Sequence, residues 1–387
     1  MKPSVGIDVR AISNINRHRG IGRYTSHLVE AIVSASDEFS FYLFGYGNNP
    51  PENTVSSEVW KKVADWIEIP VGKSASEYPS PNEYLPFARA VSKSGVKLFH
   101  GIDHNLTPFL RCKSIVTVHD LILLILRGPY LGPKSFIWIR AHRKAAQKAS
   151  AVIAVSESTK RDVHRLWNIP KERIHVIYEG VSYGFEHVDA DSLQSYLEKH
   201  HIEKPYFLYL GGFDPRKNIH NMLLGFKRFL KTGGSAHKLV ICGNVSGFED
   251  YLNSEIFDMG LEESVLMSGF VSDEDLRYLL FGAEALIFVS LYEGFGLPTI
   301  EAMALGTPVI ASRSSSLPEI LEESGVLVEP LDPEDIASAM LRIVSDEDFK
   351  NEIVKKGHEK ASAFTWEKAA SRVLELYRAV LEGGGKN

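Results

Sequence analysis

Glu293 and Glu301 lie in the stretch YEGFGLPTIEAMALGTPVIAS, one among glycines and the other near the start of a segment that reads as a helix. Carboxylates accept paired hydrogen bonds from adjacent hydroxyls, whereas a glycine turn ahead of a helix gathers backbone N–H groups that hold anions. The combination suits a ligand that is anionic in one part and rich in hydroxyls in another. Two more loops carry phosphate-type signals. GGFDPRKN sets Arg216 and Lys217 ahead of a helix, and RGIGRY sets Gly20 and Gly22 at another helix start. His119 follows the apolar run SIVTV and precedes Asp120, while HGIDHN adds Asp103 and His104 near a further strand end. A lone histidine is more often structural, but a strand-end position in a parallel sheet is where ligands bind.

The elements that must position these residues are short apolar runs alternating with amphipathic helical windows. Strands are expected at SVGIDVRAI, SFYLFGY, KLFHG, SIVTVHD, AVIAVS, YFLYLGG, KLVICG, ALIFVS and PVIAS, with helices such as GRYTSHLVEAIVSA and NIHNMLLGFKRFLK between them. Continuous apolar strands separated by helices indicate parallel sheets covered on both faces, so the fold class is α/β with two doubly wound units. The polar stretch before Tyr206 sets the expected boundaries: an N-terminal domain over 1–180, a linker over 181–204, and a C-terminal domain over 205–365. A last helix and tail occupy 366–387, and that helix can pack on either domain.

Bulk properties narrow the function classes. The chain has 387 residues, 44% hydrophobic and 24% charged, as expected of a globular protein with real cores. A net charge of -6 argues against a general nucleic-acid binder. Two cysteines, Cys112 and Cys242, are too few for a disulfide framework or zinc cluster and suit a reducing cytoplasm. MKPSVGIDVRAI reads as a buried strand and not as a secretory leader. The longest aliphatic run, LILLIL, falls far short of the roughly 20 residues that span a bilayer. RGIGRY lacks the third glycine of a dinucleotide fingerprint, and no phosphate-loop or zinc-protease motif is present.

GGFDPRKN, SGFVSDEDL, EGFGLPTIEAMALGTPVIAS and FTWEKAA, with GIGRYT, TVHD and VIAVSESTKRDV in the first half, resemble family 4 glycosyltransferases over nearly the whole chain. The resemblance implies the GT-B fold: two Rossmann-like doubly wound domains with a cleft between them, the first for the acceptor and the second for a nucleotide-sugar donor. Within the family, YLGGFDPRKN and TVHDLI are most similar to bacterial enzymes that build surface polysaccharides, many of them mannosyltransferases.

That resemblance implies transfer of a hexose, mannose first, from a nucleotide-diphosphate sugar to a glycan or lipid-linked acceptor with retention at the sugar carbon. GDP-mannose is the first expected donor and a UDP-hexose the second. Carried over by position, Glu301 binds ribose hydroxyls, Glu293 and His119 reach the donor sugar, and Arg216 with Lys217 holds the diphosphate. The amides of Phe295, Gly296 and Leu297 face the sugar and diphosphate, and Gly243 and Val271 help form the base pocket. One common family pattern has an arginine where Gly212 stands, so Arg216 is the candidate to take over its role. No D-x-D stands at a strand end with the surroundings of a metal-dependent transferase, and DAD at Asp189 to Asp191 lies in the expected linker. No metal or other cofactor is expected. A nucleotide-sugar epimerase of similar fold and a non-catalytic glycosyltransferase subunit are the alternative readings.

From Arg127 to Lys148 the chain carries Arg127, Lys134, Arg140, Arg143, Lys144 and Lys148 and no acid, with FIWI among them. On a helix these residues either line an interfacial face for an anionic membrane or divide into a solvated basic side and a buried apolar side. The expected location is the cytoplasm, peripheral on the inner face of the membrane.

Overall fold

The computed structural model describes residues 2–14, 17, 19–47, 55–69, 83–103, 106–126, 133–181, 188–234 and 236–383, with the side chains of 133, 134 and 273 excepted. The chain divides into two compact units, Met1–Gly180 with Thr365–Asn387, and Val181–Phe364.

The first unit is built on β1 (Ser4–Asp8), β2 (Ser40–Gly45), β3 (Val63–Glu68), β4 (Leu98–Gly101), β5 (Lys113–Val118), β6 (Ala151–Ala154) and β7 (Ile174–Val176). They form one sheet in the order β3-β2-β1-β4-β5-β6-β7, and the pairings are parallel. Ile7 on β1 stands between Leu43 and His100, and every residue of β1 after Ser4 is buried. Helices on both faces cause this, which is why the central strands read as unbroken apolar runs. β1 ends at Asp8, and Arg10–Ser13 turns away as a 3₁₀ helix, so the RAI of the expected first strand is not extended.

The second unit contains β8 (Tyr206–Leu210), β9 (Lys238–Cys242), β10 (Val265–Gly269), β11 (Leu286–Phe288), β12 (Val309–Ser312) and β13 (Val326–Val328). Its sheet runs β10-β9-β8-β11-β12-β13, again with parallel pairing. Its core joins Phe207, Tyr209, Ile241 and Ile287 to Met222, Phe226 and Met340 from the covering helices. Residues 190–199, expected in the linker, form a helix of this unit. Asp189 caps it through the Ser192 N–H, and Tyr196 stacks on Tyr278 at 5.1 Å.

The final helix, Trp366–Glu382, belongs to the first unit. Thr365 caps its start, and Trp366, Ala369, Ala370, Val373 and Tyr377 form the buried stripe expected at helical spacing. The Tyr377 hydroxyl lies 2.7 Å from His100 Nδ1, and Lys113 Nζ donates to the carbonyls of Val380 and Leu381 at the helix end. Among the described residues no helix is long and apolar enough to cross a membrane.

Candidate functional site

In the second unit the loop after β8 is held in place by its own sequence. Asp214 precedes Pro215 at the start of a 3₁₀ turn, and Asn218 ends that turn in the left-handed region at φ 59. Asn218 Nδ2 then donates to the carbonyls of Val289 and Pro330 at 3.0 and 2.6 Å, which pins the turn beside the end of β11. The Leu291 N–H donates to the Arg216 carbonyl at 2.7 Å, so the loops after β8 and β11 are joined through their backbones.

This joining brings Arg216, Lys217 and Glu293 together. Lys217 Nζ lies 2.6 Å from Glu293 Oε1 and Arg216 Nη1 3.0 Å from the same oxygen, while Arg216 Nε reaches Asp214 at 3.1 Å. Lys217 is buried, with its ammonium 5.0 Å from the centre of the Phe288 ring. Burial by itself would raise the Glu293 pKa, but the Arg216 and Lys217 charges overcome it and hold the carboxyl at about 2. Glu293 is therefore an ionised acceptor at neutral pH and not a proton donor. Burial lowers the Lys217 pKa, with Glu293 opposing the shift.

The helix Leu297–Ala304 follows with Gly296 as its cap at φ 108, a conformation that glycine tolerates, and Pro298 in its first turn. A serine run after β12 clamps the loop before it. Ser315 Oγ accepts the Glu293 N–H at 2.8 Å, and Ser316 Oγ donates to the carbonyls of Glu293 and Phe295 at 3.1 and 2.8 Å. Phe295 is buried against Phe364, and Leu297 is buried as well. Glu301 is wholly buried in the second turn of this helix. A helix-dipole role for it is weak there, because that effect fades beyond the first turn.

Gly243 follows β9 directly at φ 155, and a Cβ there would overlap the Gly211 carbonyl. Its N–H donates to the Gly269 carbonyl at 2.9 Å, which ties together the ends of neighbouring strands. Val271, just beyond β10, lines a cavity of about 260 Å³ with Tyr196, His200, Met267, Phe270 and Asp275.

The remaining candidates belong to the first unit. Gly20 opens the helix Gly20–Ala35 and Gly22 is buried in its first turn, which carries no acid and no side-chain cap. His119 follows β5. Its Nδ1 lies 3.4 Å from Glu179 Oε1 and its Nε2 lies 3.1 Å from the Ile102 carbonyl oxygen. Thr159 donates to the His119 carbonyl from a helix that Ser156 caps, so VSEST positions the histidine. Burial opposes charge on His119, yet Glu179 raises its pKa overall, with Asp103 adding to the effect. Asp120 accepts the Ile122 N–H at 3.0 Å and so acts in a turn. His104 lies outside the described residues.

Sequence reasoning missed Glu179, Asp214, Asn218, Ser315 and Ser316. The signal for the serines was present in SRSSSLPE after a strand, whereas Glu179 follows a three-residue strand that leaves almost no apolar signature. Among the described residues no group of three or more His, Cys, Asp or Glu is arranged to hold a metal ion.

A family model described as Glycosyltransferase Family 4 matches residues 18–184, and one described as Glycosyl transferases group 1 matches residues 195–360. The O-antigen chain mannosyltransferase RfbU of Salmonella typhimurium is 31% identical over 259 residues, covering 66% of this chain and 67% of that protein. The chain belongs to glycosyltransferase family 4. This glycosyltransferase is also 28% identical over 285 residues to the O-antigen chain mannosyltransferase B of Escherichia coli, covering 73% of its own length and 74% of the relative. It spans 48% of the serotype-specific mannosyltransferase WbdA of Escherichia coli at 25% identity. Its fold matches a sucrose-phosphate synthase from Thermosynechococcus elongatus with a TM-score of 0.80 at 22% identity, over 99% of this chain and 100% of the other. The architecture is the GT-B type, with two Rossmann-like domains.

Proposed function

We propose that this glycosyltransferase moves a mannosyl unit from GDP-mannose to a glycan or lipid-linked acceptor in surface-polysaccharide synthesis, with retention, and that a UDP-hexose is the second donor class. The observation that carries this reading is the Arg216–Lys217–Glu293 cluster beside the glycine-capped helix start. Two cations and backbone N–H groups suit a diphosphate, and an ionised carboxylate suits sugar hydroxyls. As the glycosidic bond breaks, negative charge grows on the leaving diphosphate, where fixed cations stabilise it most. Glu293, already ionised and paired with both cations, acts as an acceptor for the sugar. The relatives' names, O-antigen chain mannosyltransferases, favour mannose.

Glu301 is assigned to the ribose and Glu293 to the sugar. Glu301→Ala is then expected to abolish the thermal shift produced by GDP, while Glu293→Gln keeps that shift and loses turnover. Thermal scans with GDP, UDP and ADP beside mannose-transfer assays test this, because a ligand that binds only the folded state raises its apparent stability. A shift with UDP alone would reverse the donor order, and conversion of donor to an epimer without acceptor would replace transfer with epimerisation.

We also propose that the helix Pro133–Lys148 meets an anionic membrane surface. Arg140, Arg143, Lys144 and Lys148 are exposed, as are Phe136 and Ile137 at 59% and 56%, whereas Trp138 and Ile139 are buried. FIWI thus divides between surface and core, and the Arg140 guanidinium stands 5.8 Å from the centre of the Phe136 ring. Arg127 and the Lys134 side chain lie outside what is described. At about 1 kcal/mol per basic residue, replacing Arg140, Arg143 and Lys144 with serine should weaken binding to phosphatidylglycerol vesicles roughly a hundredfold. Sedimentation at low and physiological salt measures it, and unchanged binding would leave a soluble acceptor as the better reading.

A further inference from the structure

We infer that Glu179 is the positioning residue that keeps His119 as an imidazolium, so that His119 offers the transfer reaction a fixed positive charge and N–H groups in place of a base. The inference deepens the proposed function and rests on it for His119's role toward the donor.

A neutral imidazole ring has one N–H and one lone pair, whereas the imidazolium has two N–H groups. His119 faces an acceptor on each side: the Glu179 carboxylate at 3.4 Å from Nδ1 and the Ile102 carbonyl at 3.1 Å from Nε2. In either neutral tautomer a ring lone pair would point at an oxygen lone pair. Only the charged ring satisfies both sides.

The groups packed around the ring agree with this. Glu179 is buried, so its own charge is poorly screened and gains from a cationic partner. Asp103, beyond β4, acts in the same direction. Tyr24 meets His119 edge to face with ring centres 4.5 Å apart, and burial with the Glu179 charge raises the Tyr24 pKa, which keeps the phenol neutral. His100, on β4, is the contrast. Its nitrogens face the hydroxyls of Tyr377 and Thr117, each able to donate or accept, and burial together with the His119 charge lowers its pKa to about 3. Neighbouring histidines are thus driven to opposite charge states by their surroundings.

An imidazolium with Nδ1–H held by Glu179 has no lone pair with which to take the acceptor's proton. Its Nε2–H can exchange the Ile102 carbonyl for a hydroxyl or phosphate oxygen of the ligand while Nδ1 stays anchored.

The test uses the full chain with nitrogen-15-labelled histidine, the His119 signals being assigned by their loss in His119→Gln. At pH 7.5 the wild type should show both ring nitrogens protonated. Glu179→Gln should lower the His119 titration midpoint by about 1–3 pH units. With the proposed donor, wild-type kcat should fall as pH rises through that midpoint. The fall should move to lower pH in Glu179→Gln and return toward the wild-type position in Glu179→Asp. A single ring proton on wild-type His119 at neutral pH, or a midpoint and kcat profile unmoved by Glu179→Gln, would overturn the inference. The spectra need no substrate. Absence of turnover with every donor would therefore count against mannosyl transfer, while the spectra alone would still decide the role of Glu179.

Discussion

Replacing Lys217 with methionine is expected to lower mannosyl transfer about a hundred- to thousandfold and to destabilise the second unit by about 3–5 kcal/mol. The two losses have separate causes. For turnover, the proposed role of the ammonium is to stand where negative charge develops on the leaving group, and a methionine of similar length supplies no charge there. For stability, the Glu293 carboxylate is buried and shares one oxygen between Lys217 and Arg216, so removing the ammonium leaves a carboxylate with half its compensation. Arg216→Met should match the turnover loss with a smaller stability loss, because that guanidinium is 21% exposed and water can replace part of what it gives Glu293. The pH dependence follows from the depressed Glu293 pKa. Its stabilising contribution is full above the ordinary value of 4.5 and is lost as pH falls toward 2. The gap in denaturation midpoint between wild type and Lys217→Met should therefore be widest at neutral pH and shrink below pH 4.5. Wild-type turnover in Lys217→Met would remove this residue from the reaction, and a gap independent of pH would show that the ion pair is not its source.

Gly243→Ala is the second large effect. The residue sits at φ 155, which disfavours side chains, and a Cβ would overlap the Gly211 carbonyl, itself backbone and unable to swing aside. Backbone strain of about 1–3 kcal/mol and overpacking of about 1–3 kcal/mol combine, so a loss of about 2–6 kcal/mol is expected by chemical denaturation. The Gly243 N–H holds the Gly269 carbonyl at the end of β10, and the adjacent Cys242 carbonyl accepts the Gly211 N–H beyond β8, so nucleotide affinity should fall with stability. Gly20→Ala is the control. Nothing lies within 4 Å of its Cβ, and stability should be nearly unchanged. A Gly243→Ala protein as stable as wild type would mean that the strand ends can separate, and the backbone account would fail.

Much of this fold is legible in the amino-acid sequence alone. The nine expected strands are all present, because central strands of a parallel sheet are buried on both faces and must be written as continuous apolar runs. The four that were missed, β3, β7, β10 and β13, are the outermost strands of the two sheets. An edge strand has a neighbour on one side and burial on fewer positions, so β3 mixes partly and fully exposed positions and β10 is only partly buried throughout. Glu179 was lost for the same reason, since it follows the short edge strand β7. Arg216, Lys217, Glu293 and Glu301 stand out as candidates in the sequence because loops after strands carry glycine, proline and charge in a pattern with chemical meaning. Their spacing could not say that Arg216 and Lys217 converge on one oxygen of Glu293, or that Glu301 is withdrawn from water. Those facts depend on which strands become neighbours. β8 and β11 lie side by side although roughly eighty residues separate them in the chain, and only that adjacency joins their loops and brings Lys217 and Glu293 into a buried pair with the partly exposed Arg216 beside them.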